Sequence, residues 1–103
     1  MELKLENLDK ILEKVDKGPN YDVKKLREES IKDPKWLAFG SGNIFRGFIA
    51  RVNQDAINKG KEDRGISVVE TFDEEIIEKI YRPYDNLALS VTLHKDGNFD
   101  TNL

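Results

Sequence analysis

The sequence has no cysteine, and its 103 residues contain one histidine, one tryptophan and three prolines. Without cysteine there is neither a disulfide framework nor a thiolate metal centre, and His94 alone cannot build an imidazole cluster. No metal ligand set is therefore expected. An excess of positive charge is also missing. Seventeen basic residues against 20 acidic ones leave a net charge of −3, with no basic block to neutralise a run of phosphates, so nucleic acid is not an expected partner. No apolar run approaches the roughly 18 residues needed to span a bilayer. The amino-terminal residues alternate Glu and Lys among leucines, unlike the apolar region of a signal peptide. No membrane partner and a cytoplasmic location are the resulting expectations. There is no internal repeat and no low-complexity tract.

What is present suits a folded α/β chain of one structural unit. It is 38% hydrophobic and 36% charged, apolar enough to order but short enough that its core must be small. Leu5, Leu8, Ile11, Leu12 and Val15 recur at helical spacing ahead of Gly18-Pro19, which predicts an amphipathic helix over 3–17. Asp22 caps a second helix carrying Val23 and Leu26, and Asp33-Pro34 then breaks the chain. Residues 1–34 thus read as a helical leader, and 35–103 as part of a nucleotide-binding domain.

The segment richest in chemical meaning is Trp36-Leu-Ala-Phe-Gly40-Ser-Gly42-Asn-Ile-Phe-Arg46-Gly47. A short apolar strand over about 35–40 breaks into a Gly-x-Gly turn, and a helix from Asn43 to about Lys59 follows. Its apolar residues Ile44, Phe48, Val52 and Ala56 lie at i+4 spacing, a stripe expected to face a sheet. Gly60 ends that helix, and Ile66–Glu70 is a second, β-branched strand. Strand, turn, helix and strand together have the length of a βαβ unit. Glycines at the end of the first strand permit a tight turn and close approach of a pyrophosphate, while amides at the start of the helix face the anion. Gly-x-Gly also marks ordinary strand-to-helix turns, so its context carries the weight. The third glycine of the common Gly-x-Gly-x-x-Gly fingerprint is replaced by Phe45.

Glu70, at the end of the second strand, stands where an acidic residue can accept hydrogen bonds from adenosine ribose hydroxyls. Its charge would repel a 2′-phosphate and favour NAD over NADP, although Arg64 nearby leaves that preference open. Thr71-Phe72-Asp73-Glu74 has capping-box spacing for a helix carrying Ile76, Ile77, Ile80 and Tyr81, as far as Arg82-Pro83. Leu87, Leu89, Val91 and Leu93 then alternate with Ala88, Ser90, Thr92 and His94 before the Asp96-Gly97 hairpin turn, with His94 on the polar side.

The stretch Gly40-Ser41-Gly42-Asn43-Ile44-Phe45-Arg46-Gly47 resembles the mannitol dehydrogenase family of polyol and hexuronate oxidoreductases, whose first strand ends in Gly-x-Gly-Asn-Phe-x-Arg-Ala. Ile44 stands for the usual Phe and Gly47 for the usual Ala. The likeness extends upstream to Leu5-Glu6-Asn7-Leu8 and Pro19-Asn20-Tyr21-Asp22, and downstream to Tyr84-Asp85-Asn86-Leu87 and the Asp96-Gly97 turn. It implies a truncated Rossmann-like half in which Gly40, Ser41, Gly42, Asn43, Ile44, Phe45 and Arg46 surround the NAD pyrophosphate, with Glu70 at the ribose. It also implies a sugar alcohol or keto sugar as substrate, and a catalytic lysine in a Lys-x4-Asn-x2-His pattern of a separate domain. That pattern does not occur in these residues. The expectation is an amino-terminal cofactor-binding fragment, inactive alone and prone to self-association through a sheet edge. The alternative is a non-catalytic α/β module that binds a nucleotide or a protein.

Overall fold

The computed structural model describes residues 2–103, which form an α/β fold divided into two compact units. One unit is Pro19–Glu74; the other joins the residues up to Gly18 with Glu75–Leu103.

In the Pro19–Glu74 unit, helix α2 (Val23–Lys32) opens as the sequence predicts. The Asp22 carboxylate accepts the Lys25 amide at 3.0 Å and supplies the N-terminal acceptor that the helix lacks. Strands β1 (Leu37–Phe39) and β2 (Ser67–Val69) pair in parallel, with Leu37, Ala38 and Phe39 opposite Ser67, Val68 and Val69. Both are shorter than the sequence suggests. Between them the chain turns helical at Asn43, passes through a π-helical turn at Phe45–Ile49 and continues as α3 (Ala50–Asn58). Helix α3 closes at Gly60, whose φ of +73° is the left-handed conformation that favours glycine. There the Lys61 amide donates to Ala56 O and the Gly60 amide to Ile57 O, both at 2.9 Å.

The apolar face of this helix differs from the expected one. Ile44, Phe48 and Val52 are 77%, 65% and 53% exposed, whereas Phe45, Asn53 and Ile57 are buried. The two rows run parallel along the helix, one residue apart, and both have i+4 spacing. A polar residue disguises the buried row: the Asn53 amide is satisfied there by donating to Arg64 O at 3.2 Å. The sheet is similarly bare, with Leu37 and Phe39 exposed. Arg64 lies ahead of β2, where it donates to Asp33 O at 3.1 Å and pairs with Glu29, Asp33 and Asp63. The neighbouring Gly65 amide donates to Ser30 Oγ at 2.8 Å, so this loop is fastened to α2.

In the other unit the long first helix is not formed. A 3-10 turn (Leu5–Asn7) and a short α1 (Leu8–Leu12) replace it. Beyond Leu12 the backbone pairs with the carboxyl-terminal strand instead: the Asp16 and Lys17 amides donate to Thr101 O, and the Leu103 amide to Lys17 O. The helix expected at 71–82 starts later and runs without a gap through α4 (Glu74–Ile76), a π-helical turn (Ile77–Tyr81) and a 3-10 turn (Arg82–Tyr84). Asp85 and Asn86 follow with φ of 51° and 61°, a conformation that Asp and Asn tolerate better than most residues, and the Asp85 carboxylate accepts the Leu5 amide at 2.9 Å. Strands β3 (Ser90–Leu93) and β4 (Phe99–Asn102) form the expected hairpin around Asp96-Gly97. The alternation persists along β3, but Val91 and Leu93 face outward while Ser90 and Thr92 are half-buried.

The two helical rows give a direct test. Ile57→Ala should cost about 2–4 kcal/mol of stability, as for a buried Ile. Ile44→Ala should stay within about 0.5 kcal/mol. Urea unfolding of each variant checks this, and equal losses would show that the exposed row carries packing.

Candidate functional site

The carboxyl ends of β1 and β2 lie side by side, because Phe39 and Val69 are register partners. The next residues in each strand are Gly40 and Glu70. Gly40 turns the chain with φ +102°, and its amide still donates to Val69 O at 2.9 Å. The following residue, Ser41, is fully buried.

Glu70 reaches from the β2 side to this elbow. Its Oε2 accepts the Ser41 amide at 3.1 Å and the Ser41 hydroxyl at 2.5 Å, while Oε1 accepts the amides of Phe72 at 3.1 Å and Asp73 at 3.2 Å. Four donors thus meet one carboxylate, which has about four acceptor positions. All of them favour the ionised form. The Ser41 hydroxyl, followed by the Phe72 and Asp73 amides, holds the Glu70 carboxyl down at about 2 from an ordinary 4.5. The Phe72 and Asp73 amides, just ahead of the helical segment that begins at Glu74, are satisfied by Glu70.

Arg46 ties the elbow from the helix side. Its guanidinium donates to Ser41 O at 2.7 Å and to Asn43 Oδ1. The Arg46 amide donates to Gly42 O at 3.1 Å, the first helical bond after the turn. The amides of Asn43, Ile44 and Phe45 therefore precede any intrahelical acceptor, at the end of the helix where partial positive charge accumulates.

The two glycines of the turn differ in kind. A side chain at Gly40 would be strained by its positive φ. Gly42 is not in that conformation, and a Cβ built there meets no atom within 4 Å.

The structure thus brings Ser41, Asn43, Arg46 and Glu70 into one hydrogen-bonded group, with Gly40 and Gly42 as the turn. Phe45 points into the core and Ile44 outward. Sequence reasoning did not anticipate the side-chain role of Ser41. The signal that could have revealed it is the in-register parallel pairing, which sets the residue after one strand beside the residue after the other. Arg64, weighed above for cofactor preference, precedes β2 and so lies at the other end of the strands from the elbow.

Over 82 residues, 80% of this chain, the sequence is 50% identical to the D-mannonate oxidoreductase of Thermotoga maritima. The match takes in 15% of that protein, so the chain spans a small part of the curated relative's length. No family model matches the chain, and no solved structure matches it. Among the described residues no helix is long and apolar enough to cross a membrane.

The depressed Glu70 carboxyl has a consequence in acid. Because its folded value lies below its unfolded one, its contribution to stability is complete above about pH 4.5 and is lost as pH falls through about 2. Glu70→Gln should therefore be less stable than wild type at neutral pH and lose less stability across that acid window. Parallel acid profiles for the two proteins would show that the carboxylate is not held.

Proposed function

We propose that this chain forms the diphosphate-holding part of a dinucleotide site in an oxidoreductase that acts on a sugar alcohol or a sugar acid, of the mannitol dehydrogenase type. The observation that carries this reading is the glycine elbow between β1 and the helix, where a Cβ at Gly42 would meet no atom within 4 Å and the helix amides that follow in sequence have no acceptor in their own helix. Nothing in the local backbone requires glycine there, and a glycine permits close approach of a ligand. The likeness to D-mannonate oxidoreductase supports the substrate class.

In this reading the amides from Gly42 to Phe45 receive the diphosphate. Gly40 makes the turn, Ser41 and Asn43 hold its shape, and Arg46 fixes the loop through Ser41 O and Asn43 Oδ1. Glu70 bounds the site on the β2 side. Arg64 is engaged by carboxylates before β2 and offers no cation to an additional 2′-phosphate, so NAD is preferred to NADP. Residues 35–103 are then part of a dinucleotide-binding domain, with 1–34 as its leader.

The nicotinamide of such a cofactor supplies the hydride acceptor. Turnover also requires a base within hydrogen-bond reach of the substrate hydroxyl. No residue here is assigned that role, so this chain's share of the reaction is to bind and orient the cofactor.

Titrating NADH while following Trp36 emission tests the reading by energy transfer to the reduced nicotinamide, because Trp36 is separated from the elbow only by the three-residue strand β1. A saturable change in the millimolar range is expected. Gly42→Ala should leave the unfolding midpoint unchanged and weaken binding about tenfold or more, because its methyl group occupies the ligand's space. A wild-type chain indifferent to millimolar NADH would sink the proposal and favour a module with another ligand.

A further inference from the structure

We infer that Glu70 is a positioning residue, which acts through Ser41 to set the elbow in the shape that receives a diphosphate, rather than a residue that contacts the ligand's ribose. For the identity of the ligand, the inference rests on the dinucleotide reading.

The geometry supports it on three counts. First, the four donors on Glu70 come from two different loops, two from Ser41 after β1 and two from Phe72 and Asp73 after β2. The carboxylate is shared between loops, with its acceptor positions already occupied by the chain itself. Second, Ser41 is completely buried while Glu70 is half-buried, so the Ser41 end of the contact is closed to solvent and to a ligand. Third, Arg46 holds the carbonyl of the same Ser41 from the helix. One residue is thus gripped at its N–H, its hydroxyl and its C=O, and the amide next in sequence belongs to Gly42. Small movements of Ser41 would be passed directly to that amide, and charge-assisted bonds of this kind are strong enough to prevent them.

The two roles predict different responses to probes with and without a ribose. If Glu70 positions the elbow, Glu70→Gln and Ser41→Ala should weaken inorganic pyrophosphate and NADH by the same factor, about tenfold. Ser41→Thr, which keeps the hydroxyl, should restore most of the affinity for both. If Glu70 contacts the ribose, Glu70→Gln should weaken NADH alone, and that result would overturn the inference.

A measurement without ligand separates this inference from the dinucleotide reading. The Glu70 side-chain carboxyl carbon, followed by NMR, should keep its ionised shift at pH 3.5 in wild type and titrate in the ordinary carboxylate range in Ser41→Ala. Should Glu70 titrate ordinarily in both, the inference fails whatever binds. If Glu70 behaves as expected but neither probe binds wild type, the contact between the loops is upheld, and both the dinucleotide reading and the diphosphate-positioning role fail. Circular dichroism of each variant at neutral pH confirms that the comparison is between folded proteins.

Discussion

A carboxylate that accepts four hydrogen bonds from two loops is the constraint on which the candidate site depends. The parallel pair β1–β2 is only three residues long on each side, and so short a ladder does little to fix the loops that leave it. Backbone pairing reaches one residue further, through the Gly40 amide on Val69 O. Beyond that point Glu70 takes over, replacing the missing rungs with side-chain bonds to Ser41, Phe72 and Asp73. Ionisation makes this effective, because every partner donates and a protonated acid would set a hydrogen against a donor.

Much of the fold was legible because it rests on local chemistry. Asp22 at an N-cap, Gly60 at a helix end and Asp96-Gly97 in a hairpin are residues whose conformational or acceptor properties act within a few positions. The failures share a different cause. The first helix stops at Leu12, not near residue 17, because the Asp16 and Lys17 backbone pairs with Thr101, some 85 positions away. Periodicity cannot reveal a competing partner at that distance. Helix α3 shows a related problem. Rows beginning at Ile44 and Phe45 have equal spacing, and the buried one contains Asn53, whose cost of burial is removed by the Arg64 carbonyl. A hydrophobic count therefore favours the wrong row.

The site was legible in its location rather than its wiring. Residue types placed the turn at Gly40–Gly42 and singled out Glu70 as the acidic residue after the second strand. They could not show that Glu70 and Ser41 bond to one another, because that depends on strand register. They also could not separate the two glycines. Gly40 has a positive φ that favours glycine and Gly42 does not, a distinction that only the backbone conformation makes.

An anion site beside a carboxylate calls for an account of charge. Glu70 is ionised, and an unshielded negative charge close to the elbow would oppose a diphosphate. Its charge is instead directed into four donors of the two loops, two of them at the fully buried Ser41. On the other side of the same residue stands the Arg46 guanidinium, fixed on Ser41 O and Asn43. One negative and one positive group thus grip a single residue and largely offset each other at longer range. What remains uncompensated is the partial positive charge of the helix start, where the amides of Asn43, Ile44 and Phe45 have no acceptor in their own helix. The serine between two glycines is therefore more than a spacer. It lets the chain keep an acid for rigidity next to the site proposed to receive an anion.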